Sequence, residues 1–193
     1  MAPDAPVPTS AGLTSFNLLE ESQLFAGLGL QPGMQVLDFG CGVGNYAIAA
    51  APYLGDEGCI YAVDLWDDGL ETLEIRSAMA GLDNISSQVG GAGETLLIDD
   101  KIVDLCLLAT VVHILVLENQ LPETLNEIKR VMKPRGKVAV IEFYKQEGPP
   151  GPPLEWRLSP DDLTEIMASH GFGLVQTSTV GPYNYLSLFN QER

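Results

Sequence analysis

One short stretch limits what this chain can fold into more than any other: Val36-Leu37-Asp38-Phe39-Gly40-Cys41-Gly42-Val43-Gly44-Asn45-Tyr46. An apolar strand pattern runs directly into three glycines at alternate positions, and a helical pattern follows over Tyr46–Leu54. Glycines at such a junction let the chain turn tightly and let a ligand touch bare backbone. A glycine-rich loop alone says little; one with a strand before it and a helix after it says much more.

The rest of the chain repeats that alternation. β-rich runs are read at Gln35–Phe39, Cys59–Asp64, Ile85–Val89, Val103–Ala109 and Lys137–Phe143, with helical spacing between them. The clearest helical stripe is Leu121, Leu125, Ile128 and Met132, stopped by the breaker Lys133-Pro134-Arg135-Gly136. A helix is expected near Phe16–Leu28. Another opens at Ser159, with Pro160 at its first position and Asp162 in the capping-box place, and ends at His170-Gly171. Two further β-rich runs, Leu174–Thr179 and Tyr185–Phe189, flank a Gly181-Pro182 turn and predict an antiparallel hairpin at one end of the sheet. The pattern predicts an α/β fold with a mostly parallel sheet covered by helices on both faces. Ligands of such folds bind beyond the carboxyl ends of the strands, at the topological switch point. Residues 1–14, rich in Pro, Ala, Ser and Thr, read as a flexible tail, and 15–193 as a single domain. The run Gly148-Pro149-Pro150-Gly151-Pro152-Pro153 reads as a linker-like loop.

Charge narrows the partners. Ten Lys and Arg face 26 Asp and Glu, a formal net charge of −16. That field repels nucleic-acid backbones and anionic membranes, and no basic stripe offsets it. Three cysteines at irregular spacing suggest a reducing compartment. Met1–Pro8 carries neither a basic nor an apolar leader segment, and no apolar run reaches the ~20 residues a membrane span needs. A cytoplasmic location is expected, without membrane insertion. No His/Cys/Asp cluster has metal-ligand spacing, so no metal is expected.

Two cofactor classes compete for the glycine loop. A dinucleotide fingerprint needs G-x-G-x-x-G, and counting from Gly40 its third glycine falls on Asn45. The pattern present is D-x-G-x-G-x-G, with Asp38 two residues before the first glycine. An acid there suits a ligand bearing an ammonium group better than one bearing a diphosphate. Asp64, ending the second strand, can accept hydrogen bonds from both hydroxyls of a ribose, or else cap the helix that follows; both cofactor classes use an acid at this place. A nicotinamide site and a ligand-free turn both stay open on these residues alone.

These segments resemble the class I S-adenosylmethionine-dependent methyltransferases, and most of all the small-molecule branch that includes quinone-biosynthesis enzymes. The similarity runs over roughly residues 30–190. It is most specific at Val36–Gly44 and Ala62-Val63-Asp64, and is supported by Val103–Ala109, Val131–Lys137 and Leu158–Phe172. The resemblance implies a Rossmann-like seven-stranded sheet whose last strand is antiparallel, and S-adenosylmethionine as cofactor. It places Gly40, Cys41 and Gly42 along the methionine part, Asp38 near the ammonium, Asp64 on the ribose, and Leu65 and Trp66 against adenine. The family often has an acid directly after the glycine that closes strand three. Here that position is Gly91, which leaves backbone groups of Ala92, or Glu94, to meet the adenine edge.

Methyl transfer from a sulfonium needs alignment and exclusion of water, and a base only if the acceptor must lose a proton. His113, beyond strand four, is the candidate base, with a packed or capping histidine as the alternative. Glu142, Tyr144 and Lys145 are candidates to line an acceptor pocket; Trp156, Arg157, Tyr183 and Tyr185 are candidate walls. No Asn/Asp-Pro-Pro-aromatic run follows strand four, and no Pro-Cys nucleophile occurs. The expectation is a methyltransferase with a small-molecule acceptor. A cofactor-binding regulatory or scaffold protein without turnover is the alternative, and a nicotinamide-dependent oxidoreductase the third reading. The sequence leaves a homodimer open.

Overall fold

The computed structural model describes residues 12–192. The expected tail falls largely outside the described residues. At their start, Ser15 is already buried.

Seven strands form one sheet: β1 Gln35–Phe39, β2 Cys59–Asp64, β3 Ile85–Val89, β4 Val103–Ala109, β5 Met132–Phe143, β6 Phe172–Thr179 and β7 Asn184–Gln191. Their spatial order is β3-β2-β1-β4-β5-β7-β6. The first five pair in parallel, and β7 runs antiparallel to both β5 and β6. The hairpin expected from Gly181-Pro182 therefore supplies the one reversed strand. Helices α1 Glu21–Leu28, α2 Asn45–Leu54, α3 Asp67–Ala80, α4 Val112–Leu117, α5 Leu121–Val131 and α6 Pro160–Ser169 complete the chain.

The central strands read as near-continuous apolar runs, interrupted by single acids such as Asp38 and Glu142, because both of their faces are covered. Two buried clusters result, one per face. Leu37, Cys106, Val138 and Ile128 belong to one; Val36, Ala62, Leu105 and Ala139 belong to the other. The order reverses between β1 and β4, so the switch point lies at their carboxyl ends, where the glycine loop and Thr110 emerge.

Three local readings need correction. The helix expected over Phe16–Leu28 is split into a 3₁₀ turn at Phe16–Leu18 and α1. The break has a tertiary cause: the Glu20 N–H donates to the Val180 carbonyl at 2.8 Å, which holds the chain extended before the β6–β7 turn. Met132 ends the helical stripe in sequence but is the first residue of β5. Finally, the Lys133–Gly136 breaker bulges within β5, which begins at Met132 and not at Lys137. Val103 pairs with Met132 and Leu105 with Lys137, so four residues are looped out against Asp104. The capping box is present as read. Asp162 N–H donates to Ser159 Oγ at 3.1 Å and Ser159 N–H to Asp162 Oδ2 at 3.0 Å.

Candidate functional site

The glycine loop is built around two carboxylates. Gly40 and Cys41 N–H groups both donate to the Val63 carbonyl, at 2.8 and 3.1 Å, which ties the end of β1 to β2. Asp64 then fixes the next turn. Its Oδ2 accepts the Gly42 N–H at 2.7 Å and its Oδ1 the Trp66 N–H at 2.8 Å. Neither bond is a cap on α3 proper, whose preceding residue is Trp66. Asp64 is a clamp between the glycine loop and the loop after β2, and each of its oxygens retains a lone pair for a further donor.

Gly42 has φ 55°, and a Cβ placed on it would meet nothing within 4 Å. Bare backbone thus faces open space at the glycine loop. Gly44 serves packing instead. A Cβ there would fall 2.1 Å from Leu73 Cδ1, so the glycine lets α2 and α3 close together. The Cys41 side chain turns inward and is 7% exposed. Burial, then the nearby carboxylates of Asp38 and Asp64, push its thiol far up, so this position offers a ligand its backbone and not a nucleophile.

Asp38 is the most unusual residue of the loop. It is 2% exposed, and its Oδ2 has no hydrogen-bond partner. Burial first, and the charge of Asp64 second, push its carboxyl up to about 7, against the lowering effect of the Ala47 N–H. An orphaned, buried acceptor is costly, and a cationic ammonium group is the complement it lacks. The residues present therefore fit S-adenosylmethionine: an unpaired carboxylate for its ammonium, an open glycine backbone for its chain and an oriented acid for its ribose. A diphosphate in the same place would meet an unpaired negative charge.

Around the residues expected against adenine the arrangement is looser. Leu65 is half exposed and lies over Gly91, where any side chain would collide with it. Trp66 packs on Gly69, and Gly12 lies near the far end of its ring. Glu94, read as a substitute for the absent acid, instead accepts the Gly91 N–H at 3.1 Å and holds its own turn. Ala92 packs partly buried against one core cluster.

The residues expected on the acceptor side lie past β4 and β5. Thr110 follows β4 with φ 56°, a left-handed conformation that costs energy in a β-branched residue and marks the chain as constrained there. His113 sits in the first turn of α4, 5% exposed, with Nδ1 at 3.0 and 2.9 Å from the two oxygens of Glu142. The sequence named both residues separately and gave no sign that they meet. Tyr46 and Thr110 bond Ser15 Oγ, at 2.6 and 3.4 Å, so residues just before the 3₁₀ turn close over the loop.

Two candidate wall residues have structural tasks. Tyr185 is fully buried and donates to the Leu158 carbonyl at 2.9 Å. Arg157, 4% exposed, donates to the carbonyls of Pro152, Tyr144, Gln146, Gly148 and Pro150. The Gly-Pro loop read as a linker is thus wound around a caged guanidinium, and no spacing rule signals such a cage. Trp156 stays 42% exposed. Lys145 is held by Asp162 at 3.0 Å. A cavity of about 360 Å³ lined by Met34, Asp104, Arg135 and Lys137 lies at the amino ends of the strands, the opposite end of the sheet from this site.

Comparison with known proteins agrees with the geometry. A methyltransferase from Aquifex aeolicus, described as S-adenosylmethionine-dependent, superposes with a TM-score of 0.83 at 26% identity over 95% of this chain and 93% of that one. The chain is similar to a 2-phytyl-1,4-naphtoquinone methyltransferase of Trichormus variabilis, with 32% identity over 61% of this chain and 50% of the relative. It is also similar to a ubiquinone/menaquinone biosynthesis C-methyltransferase of a Shewanella species, with 28% identity over 82% of this chain and 60% of the relative. The chain therefore spans only half to three fifths of the length of these curated relatives. The model of the methyltransferase-domain family matches residues 30–172, from just before β1 to the start of β6, and on that match the chain belongs to this family.

Proposed function

We propose that the chain is a cytoplasmic S-adenosylmethionine-dependent methyltransferase with a small-molecule acceptor, in which residues 15–193 work as one unit and His113 is the general base. One observation carries the reading: the buried Asp38 carboxyl, its Oδ2 without a partner, at the base of a glycine loop that leaves bare backbone facing open space. When bound, S-adenosylmethionine supplies a methyl group already activated on a sulfonium. The chain's own residues do the rest. Asp38 draws in the ammonium, Asp64 orients the ribose while holding Gly42, and Leu65 and Trp66 flank the adenine. His113 takes the acceptor's proton as its nucleophilic atom forms the new bond.

The acceptor class follows from charge and from the relatives. A net charge of −16 disfavours nucleic acid, and no helix among the described residues is long and apolar enough to cross a membrane. Two cations near this end, Lys145 and Arg157, are both engaged within the chain, which disfavours an anionic acceptor. The relatives' names point to prenylated naphthoquinones and related quinones as first compounds to try.

The test is transfer of labelled methyl to a panel of neutral hydroxylated and quinol-type acceptors, including reduced 2-phytyl-1,4-naphtoquinone. Turnover is expected with at least one, and His113→Gln is expected to lower it roughly 10²-fold without changing affinity for S-adenosylhomocysteine. Full turnover by that variant removes His113 as the base.

A further inference from the structure

Glu142 is the penultimate residue of β5, between the buried apolar side chains Ile141 and Phe143, and it is 1% exposed. Among the described residues, every hydrogen bond its carboxylate accepts comes from His113. The ring Nδ1 lies 3.0 Å from Oε1 and 2.9 Å from Oε2, and the His113 backbone N–H donates to Oε1 at 3.1 Å. No Lys or Arg among the described residues pairs with it. Desolvating a carboxylate costs several kcal/mol, and a strand that buries Ile141 and Phe143 has no packing need for one.

A carboxylate only accepts. The ring nitrogen that faces it must therefore carry the proton, which leaves Nε2 of the neutral imidazole with its lone pair free. The second bond, from the backbone N–H, pins the first turn of α4 to β5, so the ring's position is held as well as its tautomer. We infer that Glu142 is a positioning residue: it locks His113 in the Nδ1–H tautomer and so keeps Nε2 open to accept a proton. This rests on the reading of His113 as the base. In the transfer, the acceptor's O–H or C–H bond breaks and its proton joins Nε2. The electron pair left on the acceptor forms the bond to the methyl carbon, and the pair of the broken carbon–sulfur bond stays on sulfur. The imidazolium then holds one N–H on Glu142 and releases the Nε2 proton to water.

The chain has two histidines, so ring nitrogens can be assigned by comparison with His170→Gln. Long-range proton–nitrogen correlation NMR on the labelled full chain, at alkaline pH and with S-adenosylhomocysteine added, reads the tautomer directly. The wild type is expected to show His113 with Nδ1 protonated and Nε2 in the unprotonated range. Glu142→Asp keeps the anion and is expected to keep that tautomer. Glu142→Gln offers both a donor and an acceptor, and is expected to give a mixture or the reversed tautomer with affinity for S-adenosylhomocysteine unchanged. An Nε2–H tautomer in the wild type overturns the inference, and that measurement needs no variant to fold. The same pure tautomer in Glu142→Gln overturns it too. A locked wild-type tautomer combined with full turnover by His113→Gln would instead remove the base assignment and leave the lock standing.

Discussion

Two aspartates do different work at the glycine loop, and each makes its own prediction. Asp64 is already bonded twice by backbone N–H groups, so Asp64→Ala both frees the loop and removes the proposed ribose acceptor. Affinity for S-adenosylhomocysteine is expected to fall by roughly 1.5–3 kcal/mol, the range for hydrogen bonds to a charged group, as read by calorimetry. Unchanged affinity would contradict the assignment. Asp38 is held protonated up to about pH 7 by burial. Because the folded state binds that proton more tightly than the unfolded chain, this group's contribution to stability is full below about pH 4 and is lost as pH rises through about 7. Asp38→Asn is therefore expected to be more stable than wild type at pH 8 and to lose the advantage at pH 5, as melting curves at the two values will show. Ligand binding should show the opposite trend. Only ionised Asp38 complements an ammonium, so wild-type affinity for S-adenosylhomocysteine is expected to rise through pH 7 and that of Asp38→Asn to stay flat.

At the scale of elements, the chain was most legible where local pattern and tertiary environment agree. Strands β1 to β4 were read with the bounds they have. In β1 and β4 burial on both faces writes a near-continuous apolar run, whereas β3, an edge strand of sequence Ile85-Ser86-Ser87-Gln88-Val89, was the weaker pattern. The Ser159–Asp162 cap was legible because its partners are three residues apart. What escaped the sequence depended on distant partners. Val180 breaks the first helix, residues 133–136 bulge against Asp104, and Glu142 meets His113 across 29 positions. No periodicity reveals which strand-end side chains converge. The Arg157 cage is a similar case, since three carbonyls of the Pro-rich loop and two of the residues just before it converge on one guanidinium. Arg157→Lys keeps the charge but loses the planar fork that reaches them. It is expected to destabilise the fold by about 3 kcal/mol, as buried carbonyls lose their donors, and to raise proteolytic cleavage within 146–156. A variant as stable and as resistant as wild type would show that the loop does not depend on the cage.

At the scale of the whole molecule, the strand order is what turns scattered residues into a site. Asp38, Asp64, Thr110 and Glu142 come from the ends of β1, β2, β4 and β5, and the order β3-β2-β1-β4-β5-β7-β6 brings those ends to one edge of the sheet. The proposed cofactor half gathers around β1 and β2, the proposed proton-accepting half around β4 and β5, and the switch point lies between them. The chemistry proposed here requires first that the cofactor half bind its ligand. The most direct measurement is calorimetric titration of the purified chain with S-adenosylhomocysteine, with NAD as the parallel control. Micromolar binding, about −8 kcal/mol, with no heat from NAD is the expected result. Binding of NAD and none of S-adenosylhomocysteine would contradict it.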